Sequence, residues 1–287
     1  YPQNMNEVAP ISLPDVLFPQ WGLAFLRGGS TNMDSAAILN ASDWGGHRHR
    51  DSLDFTYWAN GGEALSDLGY LWDSPNSNMT SRPAAHNLVM VDQKDQRRSG
   101  RGGSFHFYEP AAMFKATEAS SQAYAEADVY NRALLQVQAN GRKPEYVVDF
   151  FRVRGGNTHD YLMHGSTSDF LTSGIDLAES VGDSVSDAYT FTDTKVGSAP
   201  AGDVWKADWK NSGSDARTTA WHVPVKEETT YVANGWGQRN SRTNEDVGAQ
   251  LPYIVRQADN GEQGSTFATV VESYTRTPGI QDITSLN

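Results

Sequence analysis

Short runs of alternating or continuous apolar residues, broken every eight to twelve positions by Gly, Asn, Asp, Ser or Pro, dominate the chain. That pattern is the signature of strands with tight connections rather than of helices. "GLAFLRGG" (22–29) and "AAILNAS" (36–42) predict an early pair of strands. "DSLDFTYWANGGEALSDLGYLW" (51–72) predicts a hairpin around Asn60-Gly61-Gly62, residue types that accept positive φ at a tight turn. "HNLVMVDQ" (86–93), "ALLQVQA" (133–139), "EYVVDFFRVRGG" (145–156), "HDYLMHGS" (159–166), "PYIVRQA" (252–258) and "STFATVVESY" (265–274) predict further strands. No window of helical length keeps the i, i+3, i+4, i+7 stripe; "ATEASSQAYAEADVYNRALLQVQ" (116–138) has alanines but no apolar face. Residues 166–250, rich in Ser, Thr, Asp and Gly, predict long loops or irregular strands. The fold class is therefore all-β: a large antiparallel sandwich of two or more packed sheets with few helices.

Composition narrows the function. A chain of 287 residues is ample for one large core, and 1–287 reads as a single sandwich region. The 35 acidic and 23 basic residues give a net charge of -12. That argues against a nucleic-acid partner, which needs a basic face. It leaves room for a polyanion held by a local arginine cluster. No run approaches ~20 apolar residues, so no membrane span is expected. The absence of cysteine excludes disulfides and thiolate metal sites. The chain opens at Tyr1 with no signal-like segment and reads as an internal piece of a longer precursor. Asn40-Ala41-Ser42 and Asn78-Met79-Thr80 match the short glycosylation sequon.

The densest candidate chemistry lies in "GGHRHRDSLDF" (45–55). If a strand begins there, His47, His49 and Asp51 share one face and Arg48 and Arg50 the other. Imidazole and carboxylate together form a usual ligand set for zinc. The candidates are His47, His49, Asp51, Asp54, Asp67 and His86. The same letters also fit a polar strand edge exposed to solvent. Hairpin register does not decide the matter. A turn at Gly61 sets Asp67 opposite about residue 55, several residues short of His49.

The order of the motifs resembles a known family. "LPDVLFPQWGLAFLRGG", "GGHRHRDSLDFTYWANGGEALSDLGY", "SRPAAHNLVMVDQKDQ" and "VVDFFRVRGGNTHDYLMHG" are similar, block by block over residues 14–165, to the heparinase II/III-like polysaccharide lyases, which include oligoalginate lyases. Members usually show G-H-x-H-x-D-x-L-x-F, a strand with N-G, an Asp-Pro-Gly, and A-H-N-x-V-x-V-D. "LPYIVRQADNGEQGSTFATVVESY" is more weakly similar to the family's last sandwich strands.

The resemblance implies an enzyme that cleaves uronic-acid polysaccharides by β-elimination, secreted or periplasmic, acting on an anionic polysaccharide or oligosaccharide. It implies that His47 faces the substrate as a catalytic residue. His49, Asp67 and His86 would be ligands of a structural zinc, and Arg82 would meet a substrate carboxylate. One departure is that this chain reads Asp67-Leu68-Gly69, without the proline. The family's main catalytic groups lie on an N-terminal helical toroid, for which these residues hold no candidate. The chain is thus expected to be the sandwich part of a longer lyase. Its rivals are a non-catalytic carbohydrate-binding sandwich and a zinc hydrolase. "KDQRRSGR" (94–101) reads as a solvated loop or as an anion-attracting cluster of Lys94, Arg97, Arg98 and Arg101. His159 and His164 read as structural. Tyr57, Trp58, Tyr70 and Trp72 read as core aromatics or a sugar platform.

Overall fold

The computed structural model describes residues 13–29, 34–43, 49–71, 77–111, 113–138, 145–180, 185–186, 188–200, 202–239, 243 and 245–284. Every sheet pairing among them is antiparallel. The first sheet is a five-stranded meander of β1 (Val16–Phe18), β2 (Leu23–Gly28), β3 (Ser35–Asn40), β4 (Asp54–Ala59) and β5 (Gly62–Leu65). Asn60 at φ 53 and Gly61 at φ 77 close the β4–β5 hairpin, with Ala59 opposite Gly62. Two successive positive φ values match the right-handed twist of the flanking strands.

The remaining strands are β6 (Val89–Val91), β7 (Ser104–Glu109), β8 (Phe114–Ser120), β9 (Val129–Val137), β10 (Tyr146–Arg154), β11 (His159–His164), β12 (Phe170–Ser173), β13 (Ala178–Glu179), β14 (Thr192–Gly197), β15 (Trp205–Lys210), β16 (Arg217–Val223), β17 (Thr229–Trp236), β18 (Gln250–Ala258) and β19 (Ser265–Tyr274). They form an eight-stranded sheet in the order β12-β15-β16-β19-β10-β9-β8-β7 and a six-stranded sheet in the order β13-β14-β17-β18-β11-β6. Among the described residues, helix is confined to one turn at Ser77–Thr80 and a 3-10 turn at Pro83–Ala85. No helix among the described residues is long and apolar enough to cross a membrane.

Strict alternation on β9 and β10 buries Tyr130, Leu134, Val147 and Phe151 on one face of the large sheet. The same face carries the buried pair Arg132 and Asp149, joined by Nε to Oδ1 at 2.8 Å and Nη2 to Oδ2 at 2.6 Å. Tyr161 on β11 donates to Asp149 at 2.7 Å, and Arg132 donates to the carbonyls of Leu53 at 2.7 Å and of Asn87. One ion pair thus ties the large sheet to both others. Alternate residues of β9 also reach Ser35 on β3 through Gln136 at 2.8 Å and Val89 on β6 through Tyr130 at 2.6 Å. The five- and six-stranded sheets therefore pack on one common layer, a sandwich as expected.

Two expectations need correction. Among the described residues of the histidine segment, His49 to Leu53 form no strand and β4 begins only at Asp54, while His47 lies outside the described residues. Leu53 has φ 68, which breaks the extended run, and its N–H bonds to Asn40 O at 2.6 Å. Residues 166–250 are also more regular than composition predicts, since β15, β16 and β17 pair in unbroken register. Trp205, Ala207 and Trp209 alternate inward there, and burial of those side chains outweighs the polar residues between them. The irregularity expected there occurs at β14, where the register shifts between Thr192 and Lys195.

Candidate metal centre

Three loops bring the candidate ligands together. His49 sits on the irregular segment before β4, where hydrogen bonds from elsewhere replace a sheet ladder. Arg101 donates to His49 O at 2.6 Å, Arg50 N donates to Ser81 O at 2.9 Å, and Gln96 clamps Ser52 at both N–H (2.8 Å) and carbonyl (2.9 Å). Asp67 follows β5 in a turn closed by Gly69 N–H donating to its Oδ1 at 2.7 Å, with Gly69 at φ 78. The turn forms without the family's proline, because a carboxylate anchor and a left-handed glycine suffice. His86 terminates the 3-10 turn, its N–H bonded to Pro83 O at 3.1 Å.

In that arrangement His49 Nδ1 and His86 Nε2 stand 3.2 Å apart. The two Asp67 oxygens lie 3.8 Å from His49 Nδ1 and 3.9 Å from His86 Nε2. Asp51 completes a group whose donor atoms all fall within 4.8 Å of one another. Asn40 holds one Asp51 oxygen at 2.9 Å. His49, Asp51 and His86 are buried. His86 Nδ1 faces the carbonyl of Arg82 at 2.8 Å. A carbonyl only accepts, so Nδ1 carries the proton and Nε2 turns its lone pair into the cluster. This outer partner fixes tautomer and ring as it does for metal-bound histidines generally.

The donor set fits zinc. An ion bonded at about 2.0–2.2 Å needs donors no more than about 4.4 Å apart, and the three distances among His49, Asp67 and His86 meet that limit. The charge balance points the same way. Burial works against the protonated form of His86, yet Asp67, Asp51 and Asp54 outweigh it and hold its pKa above the usual value. Burial and then the neighbouring His86 pull His49 down. Burial opposes the charged form of Asp67, and the two histidines outweigh it to lower the pKa. Asp54, buried beneath them, is pushed up to about 7 by its burial. A pocket that attracts a proton to an imidazole through three carboxylates attracts a cation for the same reason.

Other expected site residues fall differently. His47 and Trp72 lie outside the described residues. Arg82 points its Nε at Asp95 at 3.1 Å, and Asp95 also takes Arg50 at 2.5 Å. The Arg82 backbone, through its carbonyl, is what orients His86. Arg101 is neither solvated nor available to a ligand: it is buried, paired with Asp43 and bonded to His49 O. Lys94 is paired with Glu126 at 2.7 Å. Arg97 and Arg98 stay exposed. Tyr57 is core, while Trp58 is exposed, and Tyr70 is exposed and stacks near His49 with ring centroids 6.4 Å apart. His159 is buried, between Ser265 Oγ and Gly155 O, each at 2.9 Å. His164 is buried, its Nε2 toward Ala85 O at 3.1 Å. Beside His49 an open cleft of about 300 Å3 is lined by Arg50, Asn78, Ser81 and Arg98.

Sequence reading missed three contributors. Asp51 stood among the candidates but not in the ligand set; its position two residues after His49 was the signal. Asn87, in A-H-N, accepts from His164 N–H at 2.8 Å, donates to Ser66 O at 3.1 Å, and bonds through its own N–H to Asp54 at 2.8 Å. It thereby ties His86 to the strand that precedes Asp67. Nothing in the sequence marked Arg101 as the clamp on His49.

Comparisons with known proteins agree with the fold. Among solved structures, a heparinase III superposes with a TM-score of 0.63 at 14% identity over 91% of this chain and 36% of its own. A heparan sulfate lyase mutant from Pedobacter heparinus gives a TM-score of 0.63 at 12% identity over 93% and 37%. Another heparinase III gives 0.61 at 15% identity over 94% and 38%. The chain thus spans little more than a third of the length of these structures, and at such identity the likeness is one of fold. No curated protein matches the sequence. The sequence profile of the heparinase II/III-like C-terminal domain, however, matches residues 10–236, and the chain belongs to that family.

Proposed function

We propose that residues 1–287 are the β-sandwich part of a polysaccharide lyase that cleaves a uronic-acid-containing polymer by β-elimination. The observation that carries this reading is the group of buried His49 and His86 with half-buried Asp67, preassembled from three loops of a sandwich of the heparinase II/III-like family. A structural zinc held there, with Asp51 beside it, would lock the segment that presents His47 to the cleft. An N-terminal helical domain would supply the opposite wall and the remaining catalytic groups. A secreted or periplasmic location accords with a polymeric substrate.

In β-elimination a base removes the C5 proton, which is acidic only once the adjacent uronate carboxylate is neutralised or hydrogen-bonded. The electron pair forms the C4–C5 double bond as the C4–O4 bond breaks, and an acid returns a proton to O4. His47, two positions before His49 in the sequence and outside the proposed ligand set, would be free to exchange protons in this step. A metal-bound imidazole has its lone pair committed and is not. Arg82, once its Asp95 partner yields, suits a bidentate pair with the carboxylate.

The test uses the complete enzyme and follows absorbance of the unsaturated product. His47→Ala should cut turnover at least a hundredfold while zinc content and melting temperature stay near wild type. His49→Ala should lose metal, stability and activity together. Zinc loss in His47→Ala, or full zinc in His49→Ala, would reverse the assignment.

A further inference from the structure

Arg97 and Arg98 are adjacent, exposed, and without a carboxylate partner among the described residues, whereas Arg50, Arg82, Lys94 and Arg101 nearby are all paired. In a chain with 35 acidic and 23 basic residues, an unpaired arginine dipeptide needs a reason. Arg98 lines the cleft of about 300 Å3 beside His49. Arg97 lines a second groove, of about 510 Å3, together with Ser104, His106, Gln122, Asp128 and Asn131. Consecutive residues line the two depressions, so the loop at Arg97 and Arg98 borders both.

The second groove is built into the sheet edge. In β7, Phe105 lies opposite Ala119 and Phe107 opposite Glu118, so His106 is the extra residue of a β-bulge. A bulge on an edge strand ends regular pairing and re-aims a side chain. Here it leaves the imidazole in the groove with Ser104. The other side is tied to the metal loop. Arg97 N–H bonds to Ala123 O at 3.0 Å, Gln122 N–H and Ser121 Oγ bond to Arg101 O at 3.2 and 2.7 Å, and Arg101 in turn holds His49 O. One guanidinium without an internal counter-charge, an imidazole, neutral hydroxyls and amides, and one acceptor carboxylate (Asp128) match an acidic sugar. The guanidinium pairs the sugar's anionic group bidentately, and the neutral groups and Asp128 meet its hydroxyls.

We propose that the groove at Arg97 and His106 is a distal subsite for acidic oligosaccharide, continuous through Arg98 with the cleft beside His49. This rests on the lyase reading above. A ligand long enough to cross the dipeptide gains contacts that a short one lacks. The test is calorimetric titration of the zinc-loaded chain with alginate and heparan sulfate oligosaccharides of two and six sugar units. For the class that binds, the hexasaccharide should bind wild type on the order of tenfold tighter than the disaccharide. Arg97→Ala and His106→Ala, both at exposed side chains, should each erode that advantage and leave disaccharide affinity unchanged. Arg98→Ala should weaken both ligands alike. A length advantage that survives in both Arg97→Ala and His106→Ala overturns the subsite. Equal wild-type binding of both lengths also overturns it while leaving the lyase reading intact. Failure of every acidic oligosaccharide to bind removes both.

Discussion

Two buried clusters of charge in this sandwich have opposite designs. Arg132 and Asp149 satisfy each other bidentately, and Tyr161 and the carbonyls of Leu53 and Asn87 take up the remaining donors and acceptors. At His86, the sequence neighbour of Asn87, nothing of the kind happens. His49 and His86 turn ring nitrogens toward each other, Asp67 stands 3.8 and 3.9 Å off, and His49 Nε2 has no hydrogen-bond partner among the described residues. The first cluster is complete as protein alone and serves as a strut. The second leaves ring nitrogens and carboxylate oxygens converging on a point where a cation could sit. Degree of internal pairing, rather than burial or charge, separates structure from site.

Breaking the strut should have the largest effect. Arg132→Ala leaves Asp149 charged and unpaired among three sheets, and should cost about 3–5 kcal/mol whether or not metal is present. Denaturant titration with and without chelator checks both the size and the metal independence. A loss that disappears in chelator would mean that the two clusters are one system.

Removing the metal comes next. Zinc at 100 to 1,000 times its dissociation constant should stabilise the fold by about 3–4 kcal/mol. Chelation should remove that increment, and His86→Ala should abolish the chelator's effect. Elemental analysis without zinc, combined with a melting curve indifferent to chelator, would refute the centre.

The smallest effect concerns a histidine that belongs to neither cluster. Burial lowers the His164 pKa from 6.5 to about 4. A histidine kept neutral by folding contributes fully above its unfolded pKa, and the contribution is lost as pH falls from about 6.5 toward 4. The full span is worth up to about 3 kcal/mol. His164→Gln, which keeps a donor toward Ala85 O, should flatten that part of the pH–stability curve measured by thermal melts. An unchanged slope would assign the acid sensitivity to other groups.

Much of this was legible along the chain. Alternation located the strands and Asn60-Gly61 located the hairpin, because those signals are local: side-chain period and turn chemistry act over a few residues; His49 and His86 were implied by the resemblance of the H-x-H and A-H-N blocks to the family. The extended strand expected from His49 onward is replaced up to Leu53 by irregular chain for the opposite reason. Leu53 adopts a left-handed conformation and the segment is held by Arg101, Gln96 and Ser81, residues 31 to 52 positions from their partners, which no local period encodes. Alternation likewise could not tell that Arg101 is buried while Arg97 and Arg98, in the same basic run, are not. Sequence alone determined the sandwich class, and the family resemblance of its motifs implied all three candidate ligands, His49, Asp67 and His86. Only the tertiary structure decided that these side chains converge, that Asp51 joins them with all donor atoms within 4.8 Å of one another, and which arginines are paired with carboxylates, since each depends on contacts between segments far apart in the chain.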